Sequence, residues 1–171
     1  MDLKMLVLLL PIIFMIHDFE EIIFFKKWVQ KYEVELTQRF PKIGKIIINH
    51  LKSISTASFA FGVAEEFLLI SLISFISLIN ESFKLWYGVF IGFSLHIVVH
   101  IFQWIIFRKY IPSIVTSFFV LPYCVYTFIK INEWGILSKY EQIIWGFLGF
   151  LIVIVNLIIV HFLIKKIEKS N

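Results

Sequence analysis

Residues 142–164 read QIIWGFLGFLIVIVNLIIVHFLI, an apolar run whose interior is interrupted by strongly polar groups only at Asn156 and His161. At about 1.5 Å of rise per residue, a helix of this length crosses a hydrocarbon layer of about 30 Å. Four other segments follow the same pattern: about 3–25, 53–79, 85–107 and 112–131. No segment alternates polar and apolar residues long enough to suggest strands, and within lipid an open chain satisfies its own backbone only as a helix. The predicted fold is therefore all-α: one integral membrane domain over residues 1–171, a polytopic bundle of about five transmembrane helices.

Composition agrees. The 171 residues are 60% hydrophobic, 18% aromatic and 16% charged, against roughly 45–50% apolar and 25% charged in soluble domains. A water-soluble domain of this size has too little interior to bury so much apolar surface, and a disordered chain would carry far less. One cysteine, Cys124, excludes an intrachain disulfide framework. Lys4 and the run Met5–Ile16 resemble a signal sequence, but no small-x-small site follows and the run continues through His17. An uncleaved first span is expected.

Loop charges give an orientation. Lys4, Lys84, Lys130 and Lys139 fall on one side of the five spans, and the other twelve of the 16 basic residues fall on the opposite side. The positive-inside rule then places the N-terminus outside and the C-terminus inside. Lys far outnumbers Arg, and Ile, Phe and Asn are abundant, as in AT-rich genomes. A bacterial cytoplasmic membrane is the expected location. Lys26–Lys52 is read as a basic cytoplasmic loop facing an anionic leaflet. Within it, Ile43, Ile46 and Ile47 share a helical face opposite Lys42, Lys45, Asn49 and Lys52, the pattern of an interfacial amphipathic helix. A plain solvated loop fits the same residues. Because these charges face a membrane, nucleic acid is not an expected partner.

The spans themselves carry charge. The first holds His17, Asp18, Glu20 and Glu21, the second Glu65 and Glu66, the third His96 and His100. An ionised side chain at mid-membrane costs about 2.5–3.5 kcal/mol on insertion scales, so four glutamates need compensation of roughly 10 kcal/mol. Helical spacing lets His17 share a face with both Glu20 and Glu21, and puts His96 and His100, four apart, on one face. Counted inward from the basic side, all these groups fall in one slab about 12 Å thick. Four carboxylates among neutral imidazoles demand cations or protons. Carboxylate and imidazole donors suit Zn foremost, then Fe or Mn. His17, Glu20, Glu21, Glu65, His96 and His100 are the candidate ligands of a divalent metal, with Glu21 and Glu66 as candidate proton-transfer groups. A metal-free acid–base or proton-relay network, or structural polar packing, would use the same residues. Asp18, Tyr123, Tyr126 and Asn156 are possible cavity-lining groups that spacing alone does not assign.

His17-Asp18-Phe19-Glu20-Glu21 reads H-x-x-E-E. With acidic residues in the second span and histidines later, the chain resembles the HXXEE-motif family of small, uncharacterised integral membrane proteins. That resemblance implies an active site containing His17, Glu20 and Glu21, with His96 and His100 at the later histidine positions and Arg108 as a candidate for the family's arginine. A looser likeness links Glu65-Glu66, His96 and His100 to intramembrane CAAX-type prenyl proteases. Ile70 stands where those carry an arginine, so the likeness is one of chemistry. The expected function is a membrane-embedded metal-dependent hydrolase acting on a lipid or other amphipathic substrate near the cytoplasmic leaflet, with di-iron oxidation as another chemistry for mixed Glu and His ligands. The alternatives are a divalent-cation or proton carrier, a metal-free glutamate-dependent protease-like enzyme, and a non-catalytic membrane partner.

Overall fold

The computed structural model describes residues 1–170, with side-chain surroundings through Lys166. The chain forms six helices: α1 (Leu3–Arg39), α2 (Ile43–Ser53), α3 (Thr56–Ile79), α4 (Lys84–Phe107), α5 (Ile114–Glu133) and α6 (Lys139–Ser170). Among the described residues there is no strand. The helical membrane bundle expected from hydropathy is what is observed, and α3, α4, α5 and α6 are each long and apolar enough to cross a membrane. α1 owes its lower apolarity to the charges of its middle. Its outward side is still a lipid-type surface: Met5, Leu8, Ile12, Ile16, Phe19 and Ile23, spaced three or four apart, are all exposed.

Residues 26–52 differ from expectation. They are not a loop: α1 runs on for more than three further turns to Arg39, and α2 folds back against it. The reason is packing. Phe25 and Val29 of α1 bury against Ile48 of α2, and Gly44 lets the backbones meet, since a Cβ there would lie 2.2 Å from the Leu36 carbonyl oxygen. The amphipathic helix expected at this position is present. Ile43, Ile46 and Ile47 point away from the protein, leaving an apolar strip flanked by exposed Lys42 and Lys45.

In the bundle α1 lies along α3, α4 lies along α6, α5 packs on α4 and α1, and α3 touches α6. The α4–α6 crossing is backbone on backbone. A Cβ on Gly149 would stand 2.1 Å from Gly88 C and O, and one on Gly92 2.6 Å from Val153 Cγ2. Such glycine contacts let apolar helices approach closely where lipid offers no hydrophobic driving force. The crossing sets α6 beside the histidine-bearing stretch of α4. The core at the N-terminal end of α1 is mainly apolar: Leu6, Val7, Leu10 and Phe14 pack with Trp86, Phe90 and Phe93 of α4. Trp86 is fully buried and stacks on Phe90.

At the opposite end, the extension of α1 grips the α4–α5 turn. Trp28 Nε1 donates to the Tyr110 carbonyl at 2.7 Å, and the Arg39 guanidinium donates to the carbonyls of Ile106 and Phe107 at 2.9 and 2.7 Å. Lys109 pairs with Glu35 at 2.7 Å. The turn takes left-handed backbone at Arg108 (φ 61°) and Ser113 (φ 79°), and these side-chain ties hold it there. This grip fixes where α5 begins, which matters for the site.

Candidate metal centre

The inward side of α1 turns from apolar to polar one turn beyond Phe14. His17 is fully buried, and Glu21, one turn later, reaches the same space. From α4, His96 and His100 project into it together. His17, Glu21, His96 and His100 each place one donor atom so that all four lie within 4.8 Å of one another. This cluster could hold a metal ion.

The details agree with that reading. His96 Nε2 and His100 Nε2 are 2.9 Å apart, and His100 Nε2 is 2.8 Å from Glu21 Oε1. Two nitrogens bound at about 2.0–2.1 Å to one ion lie about 2.9–3.4 Å apart for angles between about 90° and 110°. Glu21 Oε1 is buried and has no hydrogen-bond partner despite its closeness to His100. His96 Nε2 and His100 Nε2 are close enough to hydrogen-bond each other, and an ion among the donors would instead take the lone pairs of both. His17 Nε2 is buried and likewise has no partner.

The other side of two rings is engaged. His100 Nδ1 lies 3.1 Å from Gln103 Oε1, a pure acceptor, so Nδ1 carries the proton and Nε2 is left as the donor of a lone pair. His17 Nδ1 lies 3.2 Å from Thr116 Oγ1 of α5. Metal-binding imidazoles are regularly oriented by such a bond from the second nitrogen. Neither Gln103 nor Thr116 was expected. Gln103 was legible, three residues after His100 on the same helix; Thr116, far away in the chain, had no local signal.

The remaining expected site residues are placed differently. Glu20 is not in the cluster. Its carboxylate accepts from the Thr116 amide and hydroxyl at 2.8 and 2.7 Å and from the Tyr110 hydroxyl at 2.8 Å. Burial and the Glu20 carboxylate beside it push the Tyr110 phenol above its ordinary range, so it stays a donor. Glu65 is also outside the cluster, accepting from Asn156 Nδ2 of α6 at 3.0 Å. Asp18 is buried, with Glu21 and Glu66 as its charged neighbours.

Glu66 and His96 instead line a partly open cavity of about 90 Å³, whose walls include Phe14, Ile70, Val89, Phe93, Val153 and Asn156. The space is a few water molecules in size. Its lining is apolar except for His96, Glu66 and Asn156. Tyr123 donates to the Leu6 carbonyl at 2.8 Å, away from the cluster, and Tyr126 is exposed. Arg108 is an exposed helix terminus. His50 and His161 stack on each other with ring centroids 5.2 Å apart.

A family model described as a protein of unknown function with HXXEE motif matches residues 8–127, a stretch that contains all four donors and Thr116. No curated protein and no solved structure matches the chain. With His17 and Glu21 of its H-x-x-E-E sequence in the cluster, and the match spanning most of its length, the chain belongs to the HXXEE-motif family of proteins of unknown function.

Proposed function

We propose that this protein is a membrane-embedded, metal-dependent hydrolase acting on a lipid or other amphipathic substrate. The observation that carries the reading is the convergence of three imidazoles and one carboxylate from α1 and α4 beside a small apolar cavity bearing a second carboxylate, Glu66. His17, His96, His100 and Glu21 would hold the ion, Zn foremost. A bound divalent cation supplies Lewis acidity and lowers the pKa of water toward neutrality. Glu66, which lines the same cavity as His96, would accept and return a proton as a water attacks and a leaving group departs. The apolar walls suit an alkyl portion of the substrate, and the polar side chains among them suit its reacting group.

Two features favour this over the other readings. Glu20 and Glu65 are committed to hydrogen bonds elsewhere, so four donors remain for one ion, fewer than a di-iron centre needs. Beyond the cluster toward the N-terminal end of α1, the interior is packed with Leu6, Leu10, Phe14 and Phe90, and no charged side chain among the described residues is buried there. A cation carrier needs a second polar exit there, whereas an enzyme open to one side does not. The end carrying the α1 extension, α2 and most Lys and Arg residues would face the cytoplasm, with the isoleucine strip of α2 resting on an anionic leaflet.

The test is elemental analysis of the protein purified in mild detergent, alongside the His96→Ala/His100→Ala double variant. One transition-metal ion per chain, lost in the variant, is expected. Incubation with liposomes of bacterial lipid extract, followed by mass spectrometry of products, should show metal-dependent cleavage. No stoichiometric metal in the parent protein would remove the mechanism.

A further inference from the structure

The cluster contains only one of the two glutamates in the H-x-x-E-E sequence, and the fate of the other is specific. Ser113, at the N-terminal cap of α5, makes no side-chain capping bond to its own helix. Glu20, from α1, does that work: it accepts from the backbone N–H of Thr116 at 2.8 Å and, weakly, from that of Val115 at 3.4 Å. A carboxylate at a helix N-terminus is also favoured by the helix dipole. The same carboxylate takes the Thr116 hydroxyl at 2.7 Å, the shortest of that hydroxyl's contacts. A threonine has one hydroxyl proton. Given to Glu20, it leaves the Thr116 oxygen as an acceptor; of its other neighbours, the Ser113 and His17 carbonyls at 3.1 and 3.4 Å and His17 Nδ1 at 3.2 Å, only Nδ1 can carry a proton to it.

We propose that the two glutamates have divided duties: Glu21 binds the ion with His17, and Glu20 is a positioning residue. Through the Thr116 hydroxyl, Glu20 fixes the His17 ring with Nδ1 protonated and Nε2 open to the cluster. The chain of donors runs His17 Nδ1–H to Thr116 Oγ1, and Thr116 O–H to Glu20 Oε2. It explains the buried, partnerless Nε2 of His17, which is the nitrogen such a relay leaves unprotonated. It also explains the spacing of the sequence. His17 and Glu20, three apart, bracket Thr116 on one side, while Glu21, four from His17, turns about 100° from Glu20 toward α4. The Tyr110 hydroxyl steadies the other oxygen of Glu20 from the clamped α4–α5 turn.

The inference rests on the metal reading for its consequence but not for its geometry, and the two are tested separately. In the metal-free full-length protein, ¹⁵N-histidine NMR should show His17 as the Nδ1–H tautomer, the minor one for histidine in water. Thr116→Val should abolish that tautomer, and Thr116→Ser should restore it. By competition with a chelator, Thr116→Val should bind Co²⁺ or Zn²⁺ 10–100-fold more weakly, the usual effect of losing such a partner. Thr116→Ser should remain within about threefold. Glu20→Gln should weaken binding while leaving one ion per chain and the visible spectrum of the Co²⁺ form unchanged. If Glu20→Gln removes the ion or changes the spectrum while Thr116→Val is silent, Glu20 is itself a ligand and the proposal is overturned. A His17 Nε2–H tautomer in the parent protein also overturns it. Should the parent bind no metal yet show the Thr116-dependent tautomer, the positioning role stands and the metalloenzyme reading falls.

Discussion

The chain contains two adjacent-glutamate pairs, Glu20-Glu21 on α1 and Glu65-Glu66 on α3, and the bundle treats them in parallel. In each, the first glutamate is tied to a neighbouring helix: Glu20 to α5 through Thr116, Glu65 to α6 through Asn156. In each, the second turns to the shared interior, Glu21 to the histidines and Glu66 to the cavity beside His96. Adjacent residues on a helix point about 100° apart, so one dipeptide can anchor a helix and furnish a reactive carboxylate. The pairs differ in what surrounds the second member. Glu21 lies among three imidazoles; Glu66 has none within hydrogen-bond reach and faces apolar walls. The first environment suits a bound ion, the second a group that exchanges protons.

Four substitutions probe that parallel. Glu21→Gln should have the largest effect, with transition metal lost by at least 100-fold in affinity. Added Zn²⁺ at 100 times its dissociation constant should stabilise the parent protein by about 2.7 kcal/mol, read as a rise in Tm, and should do nothing for this variant. Glu66→Gln should keep the ion but reduce lipid turnover by about 10²–10⁴-fold; parallel elemental analysis and product mass spectrometry distinguish it from Glu21→Gln. If both variants lose metal alike, the division between ligand and proton carrier is wrong. Glu20→Ala removes a cap and three good hydrogen bonds at once and should cost about 1–3 kcal/mol, visible as a lower unfolding midpoint in detergent. Glu65→Gln should do least, under about 1 kcal/mol and with normal metal content, since its amide oxygen still accepts from Asn156. Metal loss there would place Glu65 at the ion after all.

A further contrast lies along α1 itself. Its first half is the membrane-type helix that hydropathy describes, apart from the motif. Its second half, beyond Phe25, is a basic, half-solvated helix that sequence patterning read as a loop. Lys26, Lys27 and Lys31 depress hydropathy without breaking the helix, and no glycine or proline intervenes before Pro41. Helix continuity there depends on α2 and the α4–α5 turn supplying partners, which a single segment does not reveal.

What the sequence determined by itself follows from local composition and period: an all-helical membrane bundle, and one level shared by six candidate ligands, of which His17, Glu21, His96 and His100 come together. Long apolar runs admit no other fold in lipid, and residues three or four apart share a face wherever a helix forms. Only the tertiary structure decided which carboxylates reach the ion. Glu20 and Glu21 are equally near His17 along the helix, and their separation depends on where α5 begins. That point is set by Trp28, Arg39 and Glu35 gripping a turn far away in sequence. Spacing fixes angle about one axis. The partner at the end of that angle belongs to another helix, and its position is a property of packing.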